Sequence, residues 1–236
     1  MKDILSSFLN NRTLLFYILL AIALVLTRIP VIGKYFRIVN TMIHEAGHAF
    51  ITLIVSGQVI SINLFADTSG SITTKSKSRF SQFLIAFAGY PVSAIAGYML
   101  MYLIQNQEAI YILFVMLSIV MILMILSIRN TYGFCWAGSF ALLNILLIYF
   151  DNQTAIYIAA AFFSLIVLTD SLISSLILLA ITYNNKKKAG DATNLHKITG
   201  IPAMVWAFIF VAISAFMVFL SVKHYFPPLN GLLSNL

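Results

Sequence analysis

Long apolar runs constrain this chain more than any other feature of its sequence. Only 9% of the 236 residues are charged, whereas soluble domains contain about 25%. Seven runs have the length that a helix needs to cross a bilayer, and they lie at roughly 13–33, 38–56, 82–104, 109–128, 132–150, 154–182 and 201–222. The sequence therefore predicts an all-α polytopic membrane protein, a single integral-membrane domain over residues 1–236, with about seven transmembrane helices. Six is the alternative, because Pro30 and Gly33 could turn the first run into an interfacial stretch.

The basic residues predict how the chain is oriented in the membrane. Cytoplasmic loops carry an excess of Lys and Arg. With seven spans and the N-terminus inside, ten basic residues face the cytoplasm: Lys2, Arg12, Lys75, Lys77, Arg79, Arg129, Lys186, Lys187, Lys188 and Lys197. Four then face outwards: Arg28, Lys34, Arg37 and Lys223. We expect a multi-pass protein of the cell membrane with a cytoplasmic N-terminus. The net charge of +7 indicates contact with lipid headgroups and gives no reason to expect a nucleic-acid partner.

One sizeable polar connection interrupts the apolar runs. Its residues 59–64 alternate loosely and are rich in β-formers, 67–70 form a turn cluster, and 71–74 are again β-rich. This pattern predicts a short membrane-associated β-hairpin around 58–75. The hairpin is either a plain connector or an edge strand that pairs with an extended substrate segment.

The second apolar run contains the sequence His44-Glu45-Ala46-Gly47-His48. On a helix, side chains at i and i+4 lie one turn apart on one face, so the two imidazoles can share a metal ion. Glu45 lies beside the first ligand, where a carboxylate can take a proton from a water on that metal. Ionisable side chains within a membrane helix are costly and mark a functional site by default. The alternative is an inert helix.

A catalytic zinc site has three protein ligands, and elimination suggests the third. His196 and His224 lie outside the apolar runs, and among the acidic residues only Glu45 and Asp170 lie well inside them. Asp170 is thus the candidate, unless it is protonated and hydrogen-bonded to a neighbouring helix. Its depth differs from that of His44 by ~13 Å at 1.5 Å per residue. The mismatch disappears if the sixth span begins near Phe162.

A stripe of small residues follows in the third run. Gly89, Ser93 and Gly97 recur every four residues, which lets two helices approach closely. We expect this stripe to pack, plausibly against the helix that bears the histidines.

These residues resemble the site-2 protease family of intramembrane zinc metalloproteases. That family carries His-Glu-x-x-His in one transmembrane helix and an Asp ligand in a later one. The resemblance implies that His44, His48 and Asp170 bind zinc, that Glu45 is the general base, and that residues 38–182 form the protease core. Two features depart from the family pattern: Ser171 follows Asp170 where Gly is usual, and no Asn-Pro precedes it. There is also no room for an inserted peptide-binding domain, so we expect a compact, divergent member.

The resemblance implies a zinc metalloendopeptidase with Zn²⁺ as its cofactor. Its partners would be the lipid bilayer and a membrane protein or peptide, whose peptide bonds it would hydrolyse with a metal-activated water. Two alternatives belong to other functional classes. One is a catalytically inactive, protease-like membrane scaffold, and the other is a metal transporter or sensor that uses the same residues as a transit site.

Overall fold

The computed structural model describes residues 11–185 and 189–228. Lys2 and Lys186, Lys187 and Lys188, which entered the charge count, lie outside the described residues. The described chain is mostly helical, with one small sheet. Its elements are α1 (Arg12–Leu26), α2 (Ile32–Ile54), β1 (Gln58–Leu64), β2 (Gly70–Lys75), α3 (Arg79–Gln105), α4 (Ala109–Leu126), α5 (Thr131–Phe150), α6 (Gln153–Asn184), α7 (Gly190–Thr199) and α8 (Ala203–Tyr225).

Five of the described helices, α3, α4, α5, α6 and α8, are long and apolar enough to cross a membrane. This finding supports the predicted class of integral membrane protein. The first two apolar runs differ from the others. Helix α1 is apolar but has only 15 residues. Helix α2 has 23 residues, and its buried positions include the polar residues Asn40, Glu45 and His48.

A sharp turn separates α1 from α2. Val31 adopts a positive φ of 71°, which is unusual for a β-branched residue, and Pro30 precedes it. The amide of Gly33 then donates to the carbonyl of Ile29 at 2.9 Å. A Cβ on Gly33 would collide with the backbone of Leu26 and Thr27, so glycine permits the close approach of the two helices here.

The beginning of α1 and the end of α8 lie at the same end of the bundle. The guanidinium of Arg12 lies 5.4 Å from the ring centre of Tyr157, near the start of α6. The hydroxyl of Tyr17 donates to the carbonyl of Pro227, just after α8, at 2.6 Å. Gln105, the last residue of α3, lines a small cavity with Arg12 and Tyr225. The described chain therefore starts and finishes on one side.

Small residues bring α3 against both α2 and α6, as their spacing predicts. The hydroxyl of Ser93 donates to Oδ1 of Asn40 on α2 at 2.6 Å. A Cβ on Gly97 would lie 2.8 Å from Cα of Leu168 on α6. On the α2 side, Gly47 leaves room for the side chain of Val92. These contacts make α3 the central helix around which the site is assembled.

The predicted β-hairpin is confirmed as a two-stranded antiparallel sheet. Its register pairs Gln58 with Lys75 at one end and Leu64 with Gly70 at the other. The residue that follows α4 covers the outer edge of β1. The amide of Ile62 in this strand donates to the carbonyl of Ser127 at 2.8 Å. No other strand among the described residues pairs with the outer edge of β2.

Two apolar clusters hold the bundle together. The larger joins α1 to α6 and includes the fully buried Phe16, Phe140 and Phe163. The smaller joins α3, α6, α7 and α8. In the smaller cluster, Ala192 and Leu195 of α7 are completely buried, which fixes this short helix against the spans. The smaller cluster thus positions the first turn of α7 beside α2.

Candidate metal centre

Three side chains converge at the middle of α2 and the start of α7. His44 and His48 bring their Nε2 atoms to 3.1 Å from each other. Oδ2 of Asp191 lies 3.1 Å from Nε2 of His44 and 3.2 Å from Nε2 of His48. Four ligands arranged tetrahedrally around zinc at 2.0–2.1 Å lie about 3.3 Å from one another. The triangle of nitrogen, nitrogen and oxygen atoms therefore has the dimensions of three zinc ligands.

Glycine at position 89 leaves space beside both histidines. A Cβ built on Gly89 of α3 would lie 2.5 Å from Nε2 of His44 and 2.5 Å from Nε2 of His48. Any other residue would fill the space into which both nitrogens point. This restriction, together with the donor set, fits a bound metal ion.

The second ring nitrogen of His48 fixes the orientation of the ring. Nδ1 lies 2.6 Å from the carbonyl oxygen of Ile85 on α3. Because a carbonyl only accepts hydrogen bonds, Nδ1 carries a proton, and Nε2 is the ring atom that faces Asp191 and His44. Metal-binding histidines are commonly oriented in this way. The ring of Tyr90 also packs edge-on against His44, with centroids 4.7 Å apart.

Asp191 is suited to be an anionic ligand. It belongs to the first turn of α7, and its side chain is 17% exposed. Burial tends to raise its pKa, but the neighbouring His48 and His44 outweigh burial and hold the pKa of Asp191 below its usual range. The carboxylate is therefore ionised at neutral pH.

Glu45 is buried beside the cluster. Its residue is 4% exposed, and its carboxylate contacts Gly70 at the start of β2, where a Cβ would collide with it. No described residue offers a hydrogen bond to Oε2 of Glu45. A buried carboxylate oxygen without a protein partner is available to a water or a substrate.

Asp170 lies outside this cluster. Its Oδ1 accepts a hydrogen bond from Nε of Arg37 at 2.8 Å, and the amide of Asn40 approaches its Oδ2 at 3.5 Å. Asp170 lies level with Arg37, which precedes His44 by seven residues on α2. This separation along α2 keeps Asp170 away from the two histidines.

Asp191 lies in a short polar connection outside the apolar runs, so an elimination among the acidic residues within those runs does not reach it. The depth difference between Asp170 and His44 is the sequence feature that argues against Asp170 as a ligand. A local signal for Asp191 itself was weak, because its approach to α2 depends on how α7 packs between α3 and α8.

The cluster opens into a cavity of about 1150 Å³. Helices α2, α3, α6 and α7 and the strand β2 all contribute to its walls. Arg37, Asp170, Lys75 and Lys197 also line it. Extended chain could thus lie along β2 and pass the cluster.

Comparison of the sequence with known proteins gives a match to one protein family. A family model described as Peptidase M50B-like matches residues 17–221, a range that contains His44, Glu45, His48 and Asp191. No curated protein and no solved structure gives a significant match.

Proposed function

The chain belongs to the Peptidase M50B-like family, that of the site-2 proteases, and we propose that it is an intramembrane zinc metalloprotease acting on membrane-embedded proteins or peptides. The cluster of His44, His48 and Asp191, with Glu45 beside it, is the observation that carries this proposal. Two imidazoles, one carboxylate and an adjacent general base are the parts of a hydrolytic zinc site.

Asp191 takes the place of Asp170 as the third ligand in this proposal. Its carboxylate is within 3.2 Å of both histidines, whereas that of Asp170 is paired with Arg37. The protease core then extends beyond 38–182 to include α7. Zinc is the metal that best suits a set of two imidazoles and one carboxylate with an open fourth position.

Glu45 performs the proton transfers of the reaction. A zinc ion held by His44, His48 and Asp191 would polarise the scissile carbonyl and lower the pKa of water towards ~7. Glu45 takes a proton from the attacking water as its oxygen bonds to the carbonyl carbon. It then gives that proton to the peptide nitrogen as the carbon–nitrogen bond breaks. No residue in the described part of the chain hydrogen-bonds Oε2 of Glu45, which leaves this carboxylate available for both steps.

The outer edge of β2 is the proposed binding site for the substrate backbone. Residues Gly70, Ser71 and Ile72 line the cavity beside the cluster. An extended segment that adds to this edge would place its backbone along the strand. Unwinding a helical substrate in this way exposes its peptide bonds to the metal.

We infer six crossings, made by α2, α3, α4, α5, α6 and α8. The start of α1 and the end of α8 contact each other, and an even number of crossings returns the chain to the side on which it began. Helix α1 enters from that side and joins α2 through the turn at Val31. The six-span alternative from the sequence is therefore favoured over seven.

The basic residues then favour an extracytoplasmic N-terminus, the reverse of the orientation predicted with seven spans. The end opposite Arg12 carries Lys75, Lys77, Arg79 and Lys197, and the connection between α6 and α7 adds three lysines by sequence. The end at which α1 begins and α8 finishes carries Arg12 and Lys223. By the positive-inside rule, this distribution of charge supports a cytoplasmic location for the hairpin and α7.

Zinc content and peptide cleavage by the purified protein test the proposed function. We expect about one zinc per chain in the wild type and hydrolysis of peptides with membrane-spanning sequences in liposomes. Zinc without hydrolysis of any substrate would favour a scaffold, and zinc flux across the liposome membrane would favour a transporter. Wild-type protein that binds no metal after repletion would overturn the proposal.

A further inference from the structure

Arg37 lies in the same cavity as the metal cluster and on the same face of α2. The spacing from Arg37 to His44 is seven residues, two turns of the helix. Its Nε donates to Asp170, but no described residue accepts a hydrogen bond from its two terminal nitrogens. The side chain is 17% exposed, and its exposure is to the cavity that it lines. A guanidinium with free nitrogens in this position can bind a planar anion.

The guanidinium is held in place by a network from three helices. Asp170 of α6, whose side chain is 4% exposed, accepts from Arg37. Asn40 of α2 approaches the other oxygen of Asp170 and accepts from Ser93 of α3. Ser93 orients Asn40, Asn40 approaches Asp170, and Asp170 orients Arg37. The guanidinium of Arg37 is therefore oriented before any ligand binds. Such preorganisation reduces the entropic cost of binding.

Asp170 occupies only Nε of the Arg37 guanidinium. The two terminal nitrogens remain as charged donors in the cavity that Arg37 lines. Charged donors of this kind favour an anionic ligand. Within the substrate of a protease, that anion is a carboxylate.

We propose that Arg37 is a subsite for a substrate carboxylate about three residues from the scissile peptide bond. Seven helical residues correspond to about 10 Å along α2, and three residues of extended chain cover about the same distance. The carboxylate comes either from an acidic side chain or from the C-terminus of the substrate. This inference rests on the proposed protease function, and it defines a substrate preference of the same site.

A matched set of peptide substrates tests the subsite with wild-type enzyme in liposomes. Mass spectrometry first locates the bond that is cleaved in a neutral membrane-spanning peptide. Peptides with Asp or Asn at the second, third or fourth position on either side then report an acidic side chain. A second pair, truncated three residues after the cleaved bond, ends in a free acid or an amide and reports the C-terminal carboxylate.

We expect one carboxylate position to raise kcat/KM about tenfold over its neutral counterpart, because hydrogen bonds to charged groups are strong. Arg37→Gln should remove this ratio. The double variant Arg37→Gln/Asp170→Asn should also lack it, without leaving a buried carboxylate unpaired. Lys34→Gln is the matched control: it removes an exposed charge from α2 that does not line the cavity, and it should keep the ratio.

The outcomes separate this inference from the function on which it rests. Cleavage of neutral peptides with no gain from any carboxylate would overturn the subsite and leave the protease intact. A gain that persists in both Arg37 variants, with zinc content unchanged, would overturn it equally. Absence of cleavage by the wild type would overturn the proposed function, and the subsite with it.

Discussion

Asp170 and Asp191 both line the cavity, and their partners are of different kinds. Asp191 approaches two imidazoles, which are neutral metal ligands when deprotonated. Asp170 approaches a guanidinium, which is permanently cationic and has no lone pair to offer a metal. The first carboxylate lacks a fixed cation and can receive one, whereas the second already has its own. Burial alone therefore does not distinguish a ligand from a structural ion pair; the chemistry of the neighbouring side chain does.

Asp191→Ala should have the largest effect, because it removes one of three proposed ligands. We expect zinc affinity to fall by more than about 100-fold, beyond the 10–100-fold typical of residues that only orient a ligand, and turnover to be lost. Asp170→Ala should keep about one zinc per chain. Competition with a chromogenic chelator measures both. Zinc loss in Asp170→Ala with retention in Asp191→Ala would reverse the comparison.

Glu45→Gln should separate metal binding from chemistry at the same site. The amide cannot take a proton from water, so turnover should fall by about 10²–10⁴-fold, the usual contribution of a general base. Zinc content should be unchanged, since Glu45 is not one of the three proposed ligands. Peptide cleavage and elemental analysis on the same preparation provide the check. Substantial turnover in this variant would exclude Glu45 as the base.

Gly89→Ala should weaken zinc binding through geometry alone. The added methyl group would lie against both Nε2 atoms, and we expect a loss of about 10–100-fold in zinc affinity, as for other changes that displace ligands. Gly138→Ala is the matched control, because no atom lies within 4 Å of its added Cβ. Unchanged zinc affinity in both variants would show that the space beside Gly89 is not needed for the metal.

Much of the fold follows from local sequence, and the site follows only in part. The helical runs and the β-hairpin depend on hydropathy and turn chemistry, which are local. The proximity of His44 and His48 depends only on the i, i+4 geometry of one helix. The contribution of Asp191 depends on the packing of α7 against α3 and α8, and no local pattern encodes that packing. The same limit applies to the number of crossings, which depends on how α1 meets α2.

A difference in stability completes the comparison of the aspartates. Asp170→Asn leaves Arg37 without its anion, and loss of one partner of a buried pair costs about 3–5 kcal/mol. Because Arg37 is partly exposed to the cavity, we expect the lower end, about 3 kcal/mol, seen as a lower midpoint of thermal unfolding in detergent. The double variant Arg37→Gln/Asp170→Asn should recover most of this loss, since it removes the unpaired cation as well. Adding Arg37→Gln to the Asp191→Asn variant should not raise the stability of the zinc-loaded protein. The partner of residue 191 is the metal site and not the guanidinium of Arg37. Recovery of both variants by Arg37→Gln would show that the two carboxylates belong to one network.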